Sequence, residues 1–249
     1  MTRTPPPAVR FLEWDSEFFG VRIASMAPAK LDDQTIVSVV DWARAEKIAC
    51  VYALSDADDI ATLRRLESAG ARLVDIRMTF ERRLDGPTPA HGADAIRTAR
   101  ESDIAALRKL AAASHTASRF FADGGFERAR CEELYATWIE KSCRGWADRV
   151  LVAELDGRLA GYVSCHVREG SRGEIGLVAV APEAQGRGLG AQLVDSAVEW
   201  LAERELSRVT VVTQGSNAGA QRLYQSRGFR TSIVQLWHHL WFDSENVRS

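Results

Sequence analysis

The sequence predicts a mixed α/β protein. Three observations carry that prediction. Short apolar, Val-rich runs at residues 175–181 and 209–213 read as buried strands. Between them, Leu189, Leu193, Ala197, Trp200 and Leu201 recur at helical spacing. Strand and helix are joined by a loop with glycine at 186, 188 and 190, after an earlier glycine at 176 inside the strand. Such a strand, Gly-rich loop and helix N-terminus can grip an anion with backbone N–H groups.

The other elements follow in order. Residues 5–7 are prolines, a stiff lead expected to lack fixed structure. Residues 11–20, FLEWDSEFFG, concentrate aromatics and acids and close on Gly20, a turn candidate. Asp32 or Asp33 caps a helix to about residue 47, with Ile36, Val39, Val40 and Ala43 inward. A strand is expected over 48–54 and a helix over 58–69 stopped by Gly70. A loosely alternating strand then covers 71–84. The turn-rich stretch 85–92, DGPTPAHG, marks the expected boundary between an N-terminal α/β domain, 1–92, and a second domain, 93–249.

The second half opens with a strand over 95–99 and a helix capped by Ser102, holding Ile104, Leu107 and Leu110. A loop over 115–126 precedes a helix with Cys131, Leu134, Tyr135, Trp138 and Ile139 inward. Asp156 and Gly157 turn a hairpin between strands at 150–154 and 159–167. After the Gly-rich unit and the strand at 209–213, Asn217 opens a short helix ending near Gly228. A last strand runs over about 231–242; its tryptophans fit a subunit interface in a homodimer or a place in the core. Helix, glycine stop and long strand occur in both halves, around Gly70 and Gly228, a faint internal repeat.

Composition bounds the function. A chain of 249 residues, 46% hydrophobic, suits one large domain or two small ones. A net charge of −2 gives no global attraction to nucleic acid or anionic membrane. The four cysteines form no C-x-x-C pair and no His lies at metal-ligand spacing beyond the lone neighbours Cys165 and His166, so free thiols and no metal are expected. The N-terminus has no apolar signal core, and no run approaches the ~18 apolar residues of a span, so a cytoplasmic protein is expected.

The Gly-rich loop excludes two nucleotide-binding readings. It has no G-x-x-x-x-G-K-[ST], and its last glycine spacing is wrong for G-x-G-x-x-G, with no acid ending the next strand. What remains is Q-x-x-G-x-G, from Gln185 through Gly188 to Gly190, after Leu177, Val178, Ala179, Val180, Ala181 and Pro182. Downstream stand Val211, Val212, Thr213, Gln214, Asn217, Ala220, Leu223, Tyr224, Gly228 and Phe229. These two motifs, in this order, resemble the GNAT superfamily of N-acetyltransferases over residues 93 to about 242.

The resemblance implies a splayed mixed sheet and acetyl-CoA as cosubstrate. It implies that Gln185, Gly186, Arg187, Gly188, Leu189 and Gly190 hold the pyrophosphate through backbone N–H groups and the helix dipole. Leu177, Val178, Ala179 and Val180 would pair with the pantetheine as an added strand does. Asn217, Ala220 and Tyr224 would form the opposing wall. Tyr224 lies two helical turns after Asn217, so both share a face. Its phenol would protonate the departing thiolate. A backbone N–H near Leu177 or Val178, where the strand bulges, would stabilise the carbonyl oxyanion. Glu174 sits where histone-type relatives carry a base, and equally reads as a solvated carboxylate; the histidines read as structural or solvated.

Residues 11–20, together with Ser118, Arg119, Phe120, Asp123, Phe126, Tyr135 and Trp138, resemble the dTDP-fucosamine acetyltransferases. That implies a nucleotide-linked amino sugar as acceptor and an N-terminal partial domain. Arg119 would then meet a phosphate, and Phe120 or Phe121 would stack on a base or simply pack the cap. Two other readings stay open: the same chemistry on another amine, and a non-catalytic acyl-CoA binder.

Overall fold

The computed structural model describes residues 4–26, 31–84 and 96–242. The first half contributes β1 (Val9–Phe11), α1 (Glu13–Phe19), β2 (Ile23–Met26), α2 (Asp33–Ala45), β3 (Cys50–Asp56), α3 (Ile60–Ser68) and β4 (Arg72–Arg83). The second contributes β5 (Ile96–Thr98), α4 (Ile104–Ser114), α5 (Arg119–Asp123), α6 (Arg128–Lys141), β6 (Arg149–Leu155), β7 (Arg158–Arg168) and β8 (Arg172–Val180). It ends with α7 (Leu189–Ala202), β9 (Arg208–Gln214), α8 (Ala218–Ser226) and β10 (Arg230–Trp241).

Local chemistry sets these limits. The Asp32 carboxylate accepts from Thr35 N–H (2.7 Å) and Asp59 from Thr62 N–H (3.2 Å), capping α2 and α3. Asp156 (φ 52°) and Gly157 (φ 72°) are both left-handed, as a two-residue hairpin turn requires. Ser102 is not the cap expected of it. Residues Glu101–Asp103 form a 3₁₀ turn instead, and the Asp103 carboxylate accepts from Arg100 N–H at 2.7 Å. The expected loop over 115–126 contains α5, and residues 11–20 contain α1, ended by Gly20 at φ 71°. The boundary expected at 85–92 lies outside the described residues.

All strands join one sheet, in the order β1-β2-β3-β10-β4-β9-β8-β7-β6-β5. The halves therefore interleave: β10 pairs with β3 and β4, and β4 pairs with β9. β10 is interior, so Trp237 and Trp241 pack in the core beside α1, α5 and α6 and form no free edge. The succession β2-α2-β3-α3-β4 repeats as β8-α7-β9-α8-β10. Each begins with a parallel pair, β2 with β3 and β8 with β9. The two meet where β4 and β10 run antiparallel at the centre. Three apolar clusters fill the layers. One lies under α7 and α8, and one lies under α2 and α3. The third packs α1, α4, α5 and α6 on the opposite face.

Candidate active site

β8 and β9 pair only from Arg172 with Arg208 to Ile175 with Val211, and among the described residues no pairing continues beyond. The strands then diverge, and the gap is the mouth of a groove. At the same level β8 bulges. Val163 pairs with Val178 and Cys165 with Ile175, so Ser164 alone opposes Gly176 and Leu177. The Ser164 hydroxyl accepts from Leu177 N–H at 2.8 Å and lies 3.3 Å from His166 Nε2. A Cβ on Gly176 would stand 2.6 Å from His166 Nε2 and 2.7 Å from Ser164 Oγ, so only glycine fits there. Because the Leu177 N–H is engaged, Val178 is the better of the two oxyanion donors expected from the sequence.

The groove has a volume of about 740 Å³. Its floor is Gly176, Leu177, Val178, Ala179 and Val180 on β8; one end is Gln185, Gly186, Gly188, Leu189 and Gly190; the far wall is Asn217, Ala220, Leu223 and Tyr224 on α8. Gly186 (φ 76°) and Gly188 (φ 82°) need left-handed backbone to turn the chain into α7. The Leu189 side chain turns into the core beneath α7, so backbone alone is left to face the groove. The Arg187 side chain is exposed and does not line it. Asn217 Oδ1 caps α8, accepting from Ala220 N–H at 3.1 Å.

The Tyr224 ring is 4% exposed and packs 6.0 Å from Phe80 and 6.1 Å from Phe229. Burial raises its phenol above the ordinary value, so the hydroxyl keeps its proton at any working pH. Among the described residues that hydroxyl has no hydrogen-bond partner, and Tyr224 lines the groove.

The expected acceptor residues fare differently. The Arg119 guanidinium lies 4.2 Å from the ring centres of Tyr52, Phe120 and Trp237. It donates to His239 Nε2 at 2.7 Å. His239 must then carry its proton on Nδ1, which donates to Asp123 at 2.6 Å. Burial pushes His239 down to about 4, so it stays neutral. Arg119 thus braces α5 against β10 and is committed before any phosphate arrives. Phe120 is 3% exposed between Phe19, Phe126 and Trp138, too enclosed to stack on a base. Phe121 is half-buried near Tyr135. Glu174 is held by Arg168 through two hydrogen bonds, of 2.9 and 3.3 Å, and does not line the groove.

Two groups escaped sequence reading. His115 stands in the groove wall, stacked 4.6 Å from Tyr135 and 2.7 Å from the Tyr162 hydroxyl. Burial pushes it down to about 4, so it is neutral. Asp75 on β4 lies within electrostatic reach of groove-lining Tyr135 and of Arg119. Burial pushes its carboxyl up to about 6, against the Ile76 N–H and the Arg119 charge, which pull it down. Its strand reads in sequence as ordinary sheet, and only the interleaving brings it within electrostatic reach of the groove wall.

A bulged strand beside a splay, a glycine turn at a helix N-terminus and a buried phenol across the groove define an acetyl-transfer enzyme. The chain belongs to the acetyltransferase (GNAT) family, whose profile matches residues 104–229. It is 31% identical to a dTDP-fucosamine acetyltransferase of Escherichia coli, over 91% of this chain and 95% of that protein. It is 30% identical to the spore coat polysaccharide biosynthesis protein SpsD of Bacillus subtilis, over 56% of this chain and 48% of the other. The solved GCN5-related N-acetyltransferase from Sphaerobacter thermophilus shares the fold, with a TM-score of 0.63 at 20% identity over 94% of this chain and 76% of that one. Acetyl-CoA is the donor in this family. No described helix is long and apolar enough to cross a membrane, and no described cluster of His, Cys, Asp and Glu is placed to hold a metal.

Proposed function

We propose that this acetyltransferase acts on the primary amine of a nucleotide-linked amino sugar. The 31% identity to a dTDP-fucosamine acetyltransferase carries this reading, because it spans both halves of the chain. The repeated strand–helix succession supports reading the N-terminal half as a partial copy of the catalytic fold that walls the acceptor side. The stretch of sequence between β2 and α2, residues 27–32, holds no glycine, so a single donor site is expected.

Acetyl-CoA supplies an acetyl group activated as a thioester. Gln185, Gly186, Gly188 and Gly190 hold its pyrophosphate, and the edge of β8 left free by the splay holds its arm. The sugar amine loses a proton, its nitrogen bonds to the carbonyl carbon, and the carbon–sulfur bond breaks. Tyr224 donates to the departing sulfur. Asp75, with its carboxyl near 6, would accept the amine proton near neutral pH. The test is thiol release with dTDP-4-amino-4,6-dideoxygalactose and acetyl-CoA. Release is expected; none at saturating acetyl-CoA, with release from another amine, overturns the sugar assignment.

Asp75→Asn separates the base from a bystander. The wild-type kcat/KM should fall as pH drops through about 6, and the variant should lose that limb. Stability moves the other way. The folded carboxyl lies above its ordinary 3.8, so its contribution is full below pH 3.8 and lost as pH rises through about 6. Asp75→Asn should therefore raise Tm at pH 8 while it lowers turnover. An unchanged acid limb removes Asp75 from the reaction.

A further inference from the structure

Arg77 is a half-buried guanidinium on β4 whose hydrogen-bond partners among the described residues are uncharged. Its Nη1 donates to Thr79 Oγ1 and to Gln235 Oε1, both at 3.0 Å. Gln235 is itself oriented, since its amide nitrogen donates to Asp56 at 3.0 Å. Both hydrogen bonds leave from one nitrogen, so Nε and Nη2 keep their donors for a ligand. The carboxylate whose charge reaches Arg77 is Glu174, and both its oxygens are taken by Arg168. Burial lowers the Arg77 pKa, the mark of a cation short of counter-charge.

Position adds direction. Arg77 pairs with Gln235 on β10 and with Gln214 on β9, and Gln214 lines the groove. Asp75 stands two residues earlier on the same strand face. Two strand residues advance about 6.6 Å, roughly the breadth of a pyranose ring. The backbone positions that carry a carboxylate for an amine and a guanidinium for an anion therefore stand about one sugar ring apart. Arg119, the guanidinium that the sequence favoured for this role, is occupied by His239 and three rings.

We infer that Arg77 is the anion-binding residue of the acceptor site and takes the phosphate on the sugar's anomeric carbon in a nucleoside-diphosphate-linked substrate. This rests on the nucleotide-sugar reading. A planar fork with three N–H donors left on two nitrogens suits a phosphate better than a point charge does. Catalysis at the amine lies at the other end of the ring, so loss of Arg77 should weaken acceptor binding and spare the donor.

The test is calorimetric binding of dTDP and of inorganic pyrophosphate to the protein saturated with CoA, for wild type, Arg77→Met and Arg77→Lys, with acetylation kinetics alongside. Expected are dTDP binding to wild type, a loss of roughly tenfold or more in Arg77→Met, partial recovery in Arg77→Lys, and an unchanged KM for acetyl-CoA. A purely structural arginine would lower Tm without that split between the two substrates. Equal dTDP binding by wild type and Arg77→Met overturns the role of Arg77 and leaves the sugar reading standing. If dTDP binds neither protein, the nucleotide reading falls. Pyrophosphate then decides Arg77: binding lost in Arg77→Met retains an anion site for another phosphorylated amine, and binding absent or unchanged overturns it.

Discussion

Tyr224→Phe is expected to lower kcat roughly tenfold or more while the dissociation constant for acetyl-CoA stays nearly constant. The ring itself is structural, packed between Phe80 and Phe229, and phenylalanine keeps that packing. What disappears is a hydroxyl without a partner among the described residues, on a residue that lines the groove. A thiolate, whose parent thiol has an ordinary pKa of ~8.5, is a weaker base than the phenolate of an ordinary tyrosine at ~10, so full proton transfer is uphill. Burial of Tyr224 steepens that slope. Its contribution is therefore a hydrogen bond that strengthens as sulfur takes on charge, and such a bond lowers the barrier without tightening ground-state binding. Rapid-quench turnover and equilibrium binding of acetyl-CoA check the two halves of this expectation. An unchanged kcat removes Tyr224 from the reaction and leaves the acetyltransferase fold intact. A non-catalytic acyl-CoA binder would show no turnover for either protein.

The groove between β8, the Gly-rich loop and α8 was legible in sequence because it is local. The Gly-rich loop, the strand before it and the helix carrying Asn217 and Tyr224 lie within one stretch of chain, and their geometry follows from glycine conformation and helical period. Residues that act through long-range pairing were not legible. Asp75 and Arg77 belong to a strand of the first half, and they come near the groove, where acceptor roles are proposed for them, because β4 inserts between β10 and β9. Arg119 shows the opposite failure. Its sequence neighbourhood of aromatics fits a nucleotide pocket, yet the same aromatics enclose it, and His239, 120 residues later, takes its free donor. The edge strand β1 and its neighbour β2, of 3 and 4 residues, are too short for a period-two pattern to declare itself. The repeat around Gly70 and Gly228 was visible as two helix stops at φ 86° and 81°. Its meaning emerged only when β4 and β10 proved to pair with each other.

Gly176→Ala is the second large effect. The added methyl would overlap His166 Nε2 at 2.6 Å and Ser164 Oγ at 2.7 Å. The His166 ring is 3% exposed and lies against Trp146 at 5.8 Å, so it has little room to retreat. Rotating the Ser164 hydroxyl away would free the Leu177 N–H that it holds at 2.8 Å. Either escape moves the bulge, and with it the Val178 N–H that would meet the carbonyl oxygen. Loss of one such donor costs about 10²-fold in kcat in other acyl-transfer enzymes, and that magnitude is expected here. Overpacking should also cost about 1–3 kcal/mol of stability, read as a lower Tm. Binding of CoA should change far less, because the pyrophosphate loop and α8 lie beyond the bulge. Ser164→Ala supplies the control. It leaves room at Gly176 but unpins Leu177, so a bulge that positions a catalytic N–H predicts a kcat loss there too, without the clash. If Gly176→Ala lowers Tm but leaves kcat intact at a temperature where the protein is folded, the bulge serves packing and not acetyl transfer.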